Sequence, residues 1–277
     1  MPQSVNACIQ PPTGVGGFLY WIKAGRLMKL VRFQIQGRTA CGILHGEEVM
    51  ELEGDFFGSL KTLATGHARS GVKLLAPCSP TKVIAVGLNY RDHARELGMP
   101  APDTPVIFLK PSTTVIGPDD VILYPGASSR VDYEAELGIV IKDRSKDLRP
   151  EEASRHILGY TCANDVTARD LQKKDGQWTR AKSFDTFCPV GPWIETGLDP
   201  DDILVESYLN GERRQSSRTS QFIFKADFLV SFISQVMTLY PGDLIITGTP
   251  AGIGPMQPGD EIEVRIEGIG SLKNVMN

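Results

Sequence analysis

The segment VDYEAELGIVI, Val131 to Ile141, constrains the fold more than any other stretch of the chain. Its first half alternates. Val131, Tyr133, Ala135 and Leu137 take one face of a strand, and Asp132, Glu134 and Glu136 take the other. Its second half, Gly138-Ile139-Val140-Ile141, is apolar on both faces, so the strand runs into a core. Acids at the mouth of a buried strand are costly without a partner. Glu134 and Glu136 would lie about 6.6 Å apart along the strand and point the same way, placed to converge on a cation. Taken alone, the segment also reads as a strand with one solvated, charged face.

The rest of the chain predicts company for this strand. It carries 28 glycines and 19 prolines, against a usual combined share of about 12%, which favours turns and strands over a helical bundle. Strand patterns recur at LVRFQIQ after Met28, at KVIAVGL, VIFLK and DLIITG, and in the clean alternation of EIEVRI. Asn210-Gly211 inside ILVESYLNGERRQ marks a hairpin. Helices are expected around Phe57–His67, from Tyr90 to Leu97 with Asn89 as a cap, and from Pro150 to about Leu158. Another spans 225–239, with Phe228, Leu229, Phe232, Ile233, Val236 and Met237 on one side. The sum is a mostly β (α+β) chain. Residues 1–27 read as an N-terminal extension, 28–78 as a small N-terminal domain ending at the linker Ala76–Pro80, and 79–277 as the main domain.

Charge and cysteine content exclude several functions. A formal net charge of −4 argues against a nucleic-acid partner, which normally meets a basic face. Five cysteines with no CxxC spacing argue against a disulfide framework or zinc knuckle and fit a cytoplasmic protein. No apolar run reaches the roughly 18 residues a membrane span needs, and the opening residues lack signal-peptide character. The four histidines, His45, His67, His93 and His156, are too scattered for a histidine-rich metal site.

Four further motifs carry chemistry. Asp165, in GYTCANDVTARDLQ, follows an apolar strand and adds a third carboxylate to Glu134 and Glu136. Three carboxylates with no nearby Cys or His suit Mg²⁺ or Mn²⁺ better than zinc, although an Asn-Asp turn or a helix cap also explains Asp165. His93 and Glu96, in NYRDHARELG, share a helix face at i, i+3. The carboxylate can fix the imidazole tautomer and make His93 a general base for water; a surface helix of mixed charge is the plain alternative. Lys182, in WTRAKSFDTFCPVGP, is either a solvated lysine or one that neutralises a developing enolate. TGTPAGIG, Thr247 to Gly254, is either a structural turn or a glycine-rich loop whose N–H groups and threonine hydroxyls approach an anion.

Together, GLNYRDHARELG, PVIFLKPSTTVIGP, VDYEAELGIVI, GYTCANDVTARDLQ, WTRAKSFDTFCPVGP and LIITGTPAGIGPMQPGDEIEVRIEGIGSLKN resemble the fumarylacetoacetate hydrolase superfamily, in order, over roughly residues 80–277. The resemblance implies a rolled, mixed β-sandwich with a short N-terminal domain, usually as a homodimer. It implies Mg²⁺ or Mn²⁺ on Glu134, Glu136 and Asp165, and a lid carrying His93 and Glu96. It also implies substrate contacts from Lys182 and Thr249, with Arg169, Gln172 and Lys110 lining the same site. The expected substrate is a small 2-oxo acid. The expected reaction is cleavage of a C–C bond through a metal-bound enolate, by hydrolysis of an acylpyruvate or fumarylpyruvate or by decarboxylation of oxaloacetate. An isomerase or decarboxylase of 2-hydroxyhepta-2,4-diene-1,7-dioate or 5-carboxymethyl-2-hydroxymuconate would use the same enolate. A non-catalytic metal- or ligand-binding protein would need the carboxylates but not the His93–Glu96 pair.

Overall fold

The computed structural model describes residues 27–58 and 60–277. The expected extension over 1–27 therefore lies outside the described residues, apart from Leu27. The fold is mostly β, with mixed sheets and short helices. Among the described residues, one twelve-stranded sheet forms its spine. Ala135–Ile141 lies near the middle of that sheet, paired antiparallel to Ile157–Asn164 on one side and Leu244–Ile246 on the other. Leu244–Ile246 then pairs parallel to Val83–Gly87, which pairs with Val106–Lys110. A five-stranded sheet, built on the Asn210-Gly211 hairpin and the strands Glu261–Ile266 and Gly270–Met276, packs across it. Asn210 and Gly211 both take positive φ, 52° and 80°, as a tight hairpin turn requires.

The both-sided burial expected of Ala135–Ile141 is present. Leu137 and Ile139 enter a core shared with Val205, Val264, Leu229 and Ile233, while Val140 enters a second core with Ala163, Val190 and Ile246. Burying each large aliphatic side chain is worth about 1.5–3 kcal/mol, so the strand is anchored from both faces. It does not run unbroken from Val131, however. Val131–Tyr133 joins a separate three-stranded sheet with Thr167–Ala168 and Gly254–Met256. The break falls at Glu134, where side chains replace the ladder: Glu134 N–H donates to Asn164 Oδ1 (2.9 Å) and Ala135 N–H to Gln215 Oε1 (3.0 Å).

The short N-terminal strands extend the same spine, since Lys29–Ile35 pairs antiparallel with Cys188–Glu195. The helix expected around Phe57–His67 is instead the strand Thr62–Ala68, paired to Glu48–Leu52. The free edge of Glu48–Leu52 offers ladder hydrogen bonds there, and that tertiary gain overrides a weak local pattern. Its neighbour Glu51 takes both Arg38 nitrogens (2.6 and 2.7 Å) and His67 Nε2 (2.9 Å). Arg38 leads in holding the Glu51 carboxyl at about 2, against an ordinary 4.5. The stabilisation is full above pH 4.5 and is lost as pH falls toward 2. Because Arg38 is half-exposed, Glu51→Gln should cost only about 1–2 kcal/mol at pH 7. Chemical denaturation at pH 7 and pH 3 checks this: the gap between variant and wild type should narrow at the lower pH.

Three other local expectations shift. The helix from Pro150 stops at Ala153 and tightens into a 3₁₀ turn over Ser154–His156, because Ile157 enters the sheet. The helix Ala226–Val236 buries Ala226, Leu229, Val230 and Ile233, whereas Phe228 and Val236 are exposed. The buried stripe follows i, i+3, i+4, i+7, and Phe224, Phe228 and Phe232 stack along its flank at 5.6 and 6.2 Å. Asn89 does not cap the Arg91–Glu96 helix. Its amide donates to Thr247 O (2.8 Å) and Phe224 O (3.1 Å) and accepts from Phe224 N–H (2.8 Å), bracing the entry to that helix.

Candidate active site

The break at Glu134 is what assembles the site. Glu134 leaves the small sheet, Glu136 enters the long one, and Asp165 follows directly on Ile157–Asn164, the antiparallel neighbour. Asp165 N–H donates to Glu134 O (2.9 Å), locking the two turns together. Each of the three carboxylates offers an oxygen, and these oxygens lie within 4.8 Å of one another, with all three residues buried.

Their environments differ. Lys110 Nζ bonds Asp165 Oδ1, and Lys182 Nζ bonds Asp165 Oδ2 (2.5 Å) and Glu134 Oε2 (2.9 Å). Arg169 Nη2 reaches Glu134 Oε1. Burial would raise the Glu134 carboxyl, but Lys182 and Arg169 outweigh it and hold the group at about 2. Burial would likewise lower the Lys182 ammonium, but Asp165 and Glu134 raise it, so it stays charged. Among the described residues Glu136 is hydrogen-bonded to no basic side chain: its Oε2 accepts the Gly248 N–H, at 2.6 Å. Burial, then the neighbouring Asp165 and Glu134, push its carboxyl well above the usual range. Three buried oxygen donors, one of them short of positive charge, fit a hard divalent cation.

The carboxylates open on a cavity of about 550 Å³. Nine of the ten candidate residues line it: His93, Glu96, Glu134, Glu136, Asp165, Arg169, Gln172, Lys182 and Thr249. Lys110 does not. It is fully buried behind Asp165 and supports that carboxylate from the back. Arg169 faces the cavity, but its guanidinium is spent on Asp132 Oδ2 (2.9 Å), Gln172 Oε1 (2.6 Å) and Glu134. Thr249 lends its hydroxyl to Ala135 O (2.9 Å) and accepts from Gln215 Nε2 (2.8 Å).

The glycine-rich turn does meet anions, but they are the protein's own. Gly248 N–H holds Glu136, and Gly252 N–H donates to Glu96 Oε1 (3.1 Å). Gly248 has φ 93°, and a Cβ there would sit 2.8 Å from the Asn89 Cβ. Also lining the cavity, Glu96 Oε2 lies 2.8 Å from His93 Nδ1. A carboxylate only accepts, so Nδ1 carries the hydrogen, and in the neutral ring Nε2 then holds the lone pair. The Arg91–Glu96 helix is docked by Arg91 Nη1 on Phe222 O and by Tyr90 packed edge-on to Phe222 at 4.8 Å.

Sequence reasoning missed Gln215, Arg130 and the pairing of Asp132. Gln215 comes from the far hairpin and ties Ala135 to Thr249, a link with no local signal. Asp132 shares the acidic face of VDYEAE, yet only the fold shows it buried between Arg130 and Arg169.

The Fumarylacetoacetate (FAA) hydrolase C-terminal family matches residues 82–277, and a family described as Rv2993c-like, N-terminal matches residues 28–77. The chain is 57% identical over 205 residues to an uncharacterized protein of Archaeoglobus fulgidus, covering 74% of this chain and 82% of that one. It is 44% identical over 219 residues to a mitochondrial oxaloacetate tautomerase of Bos taurus, covering 74% and 70%. Among solved structures, a 5-carboxymethyl-2-hydroxymuconate delta-isomerase from Mycobacterium smegmatis matches with a TM-score of 0.86 at 45% identity, over 90% of this chain and 99% of that one.

Proposed function

The chain belongs to the fumarylacetoacetate hydrolase family, and from that premise we propose that it is a divalent-metal-dependent enzyme cleaving a C–C bond in a 2-oxo acid. Acylpyruvate- or fumarylpyruvate-type hydrolysis and oxaloacetate decarboxylation are the reactions proposed. The observation that carries the reading is one cavity lined by both the Glu134–Glu136–Asp165 cluster and the His93–Glu96 pair. Glu134, Glu136 and Asp165 are the residues to hold Mg²⁺ or Mn²⁺, which when bound supplies Lewis acidity toward the carboxylate and keto oxygens of the substrate.

The chain's own groups then divide the work. Glu96 orients His93, whose Nε2 takes a proton from water for attack on the distal carbonyl. Lys182, charged and buried, offsets negative charge developing on the pyruvate-derived fragment as the C–C bond breaks. Thr249 and Gln172 line the wall against which the acid end rests. A binding protein has no use for an oriented imidazole, which weighs against the non-catalytic alternative.

A second reading is supported by the names of relatives, an oxaloacetate tautomerase and a delta-isomerase. Both reactions move protons next to a ketone, which the same residues can do without attacking water. Turnover of oxaloacetate, acetylpyruvate and a 2-hydroxydienedioate, with Mg²⁺ and after chelation, separates the readings. Metal-dependent pyruvate release supports cleavage; interconversion without release supports the second reading; no turnover of any substrate sinks both. The proposed partners are the 2-oxo acid and a second copy of the chain, the latter checked by light scattering. Among the described residues, no helix is long and apolar enough to cross a membrane.

A further inference from the structure

Two guanidinium groups share the buried carboxylate of Asp132, and they are not equivalent. Arg169 is 12% exposed, and its Nε, Nη1 and Nη2 are all committed to protein acceptors. Arg130 is 49% exposed, lines the same cavity, and uses only Nε (2.9 Å) and Nη2 (3.2 Å) on Asp132. Its Nη1 makes no hydrogen bond among the described residues, so an arginine at the cavity wall retains donors for a ligand.

Arg130 is also held in place before any ligand arrives. Its carbonyl accepts the Arg169 N–H (2.8 Å), and its own N–H donates to Ser128 Oγ (3.2 Å). Ser128 and Ser129 are stapled to Asp170 at the start of the following helix, by bonds of 2.6, 3.0 and 3.0 Å. Asp132 fixes the plane of the guanidinium. A fork held this way loses little freedom on meeting a carboxylate, the anion its geometry matches. Lys173 also lines the cavity but is exposed, with no such anchoring among the described residues.

We propose that Arg130 is a specificity-determining residue that binds the distal carboxylate of a dicarboxylic 2-oxo acid. The inference rests on the 2-oxo acid reading above and narrows it. Calorimetric titration with Mg²⁺ present tests it, using pyruvate and its carboxylate-extended analogue 2-oxoglutarate as probes. Wild type is expected to prefer the dicarboxylate. Arg130→Gln is expected to cut that preference, read as the ratio of the two Kd values, by about 10- to 100-fold. Arg130→Lys should recover part of the ratio, since charge returns without the fork. An unchanged ratio in Arg130→Gln overturns the inference and leaves the 2-oxo acid reading standing. Equal weakening of both probes also overturns it, because Arg130 would then act through Asp132 on the common core. Wild type binding neither probe sinks the 2-oxo acid reading together with the inference.

Discussion

Glu136→Gln is expected to abolish the response to divalent metal while making the metal-free protein more stable. Among the described residues Glu136 is the carboxylate of the cluster that no basic side chain hydrogen-bonds, facing Asp165 and Glu134 from a buried position. Glutamine keeps an oxygen to accept the Gly248 N–H but removes the like charge. In metal-free wild type the repulsion grows as pH rises through the elevated Glu136 pKa, so stability falls with rising pH and the variant should not follow. Relief of about 1–2 kcal/mol at neutral pH corresponds to a Tm gain of several degrees for a chain of this size. Metal at a hundred times its Kd should add about 2.7 kcal/mol to wild type and nothing to the variant. Thermal scans of chelated protein with and without added Mg²⁺ measure both quantities. A variant that melts lower without metal, yet still gains stability from it, would remove Glu136 from the metal set.

His93→Ala is expected to lower kcat for hydrolysis of an acylpyruvate by about 10²–10⁴-fold, the usual worth of a positioned general base. The metal-induced rise in Tm should survive, because among the described residues the His93 ring hydrogen-bonds to Glu96 and to none of the three carboxylates. Glu96→Gln should cost less, since an amide oxygen still accepts from His93 Nδ1 and from Gly252 N–H. Measuring hydrolysis and keto–enol interconversion on the same variant adds a second discrimination. Loss of hydrolysis alone assigns His93 to water; loss of both assigns it to proton transfer at carbon. Hydrolysis that persists in His93→Ala contradicts the base assignment.

Much of this site was legible as sequence because its parts are locally coded. Alternation put Glu134 and Glu136 on one face, and i, i+3 spacing put Glu96 under His93, where the pair meets at 2.8 Å. The double-apolar run after Glu136 announced a strand buried on both sides, and Leu137, Ile139 and Val140 are divided between two cores accordingly. Asn210-Gly211 made its hairpin. Where the reading failed, long-range partners outweighed local preference. Thr62–Ala68 became a strand because Glu48–Leu52 had an edge to pair. Asn89 left the helix cap for Thr247 and Phe224, more than 130 residues away.

The sequence alone therefore determined the residue types of the site, the β class of the chain and the faces on which its acids fall. These follow from periodicities of two and 3.6 that any short segment carries within itself. Only the tertiary structure decided which charges are compensated. Lys110, Lys182 and Arg169 converge on Glu134 and Asp165 from separate elements and leave Glu136 with a single N–H. Only it decided that Arg169 is committed while Arg130 keeps donors free, and that the glycine-rich turn grips the protein's own carboxylates. The reason is physical. A charge's behaviour depends on distance and burial, which packing sets between residues far apart in the chain, while the pattern along a strand reports only which way each side chain points.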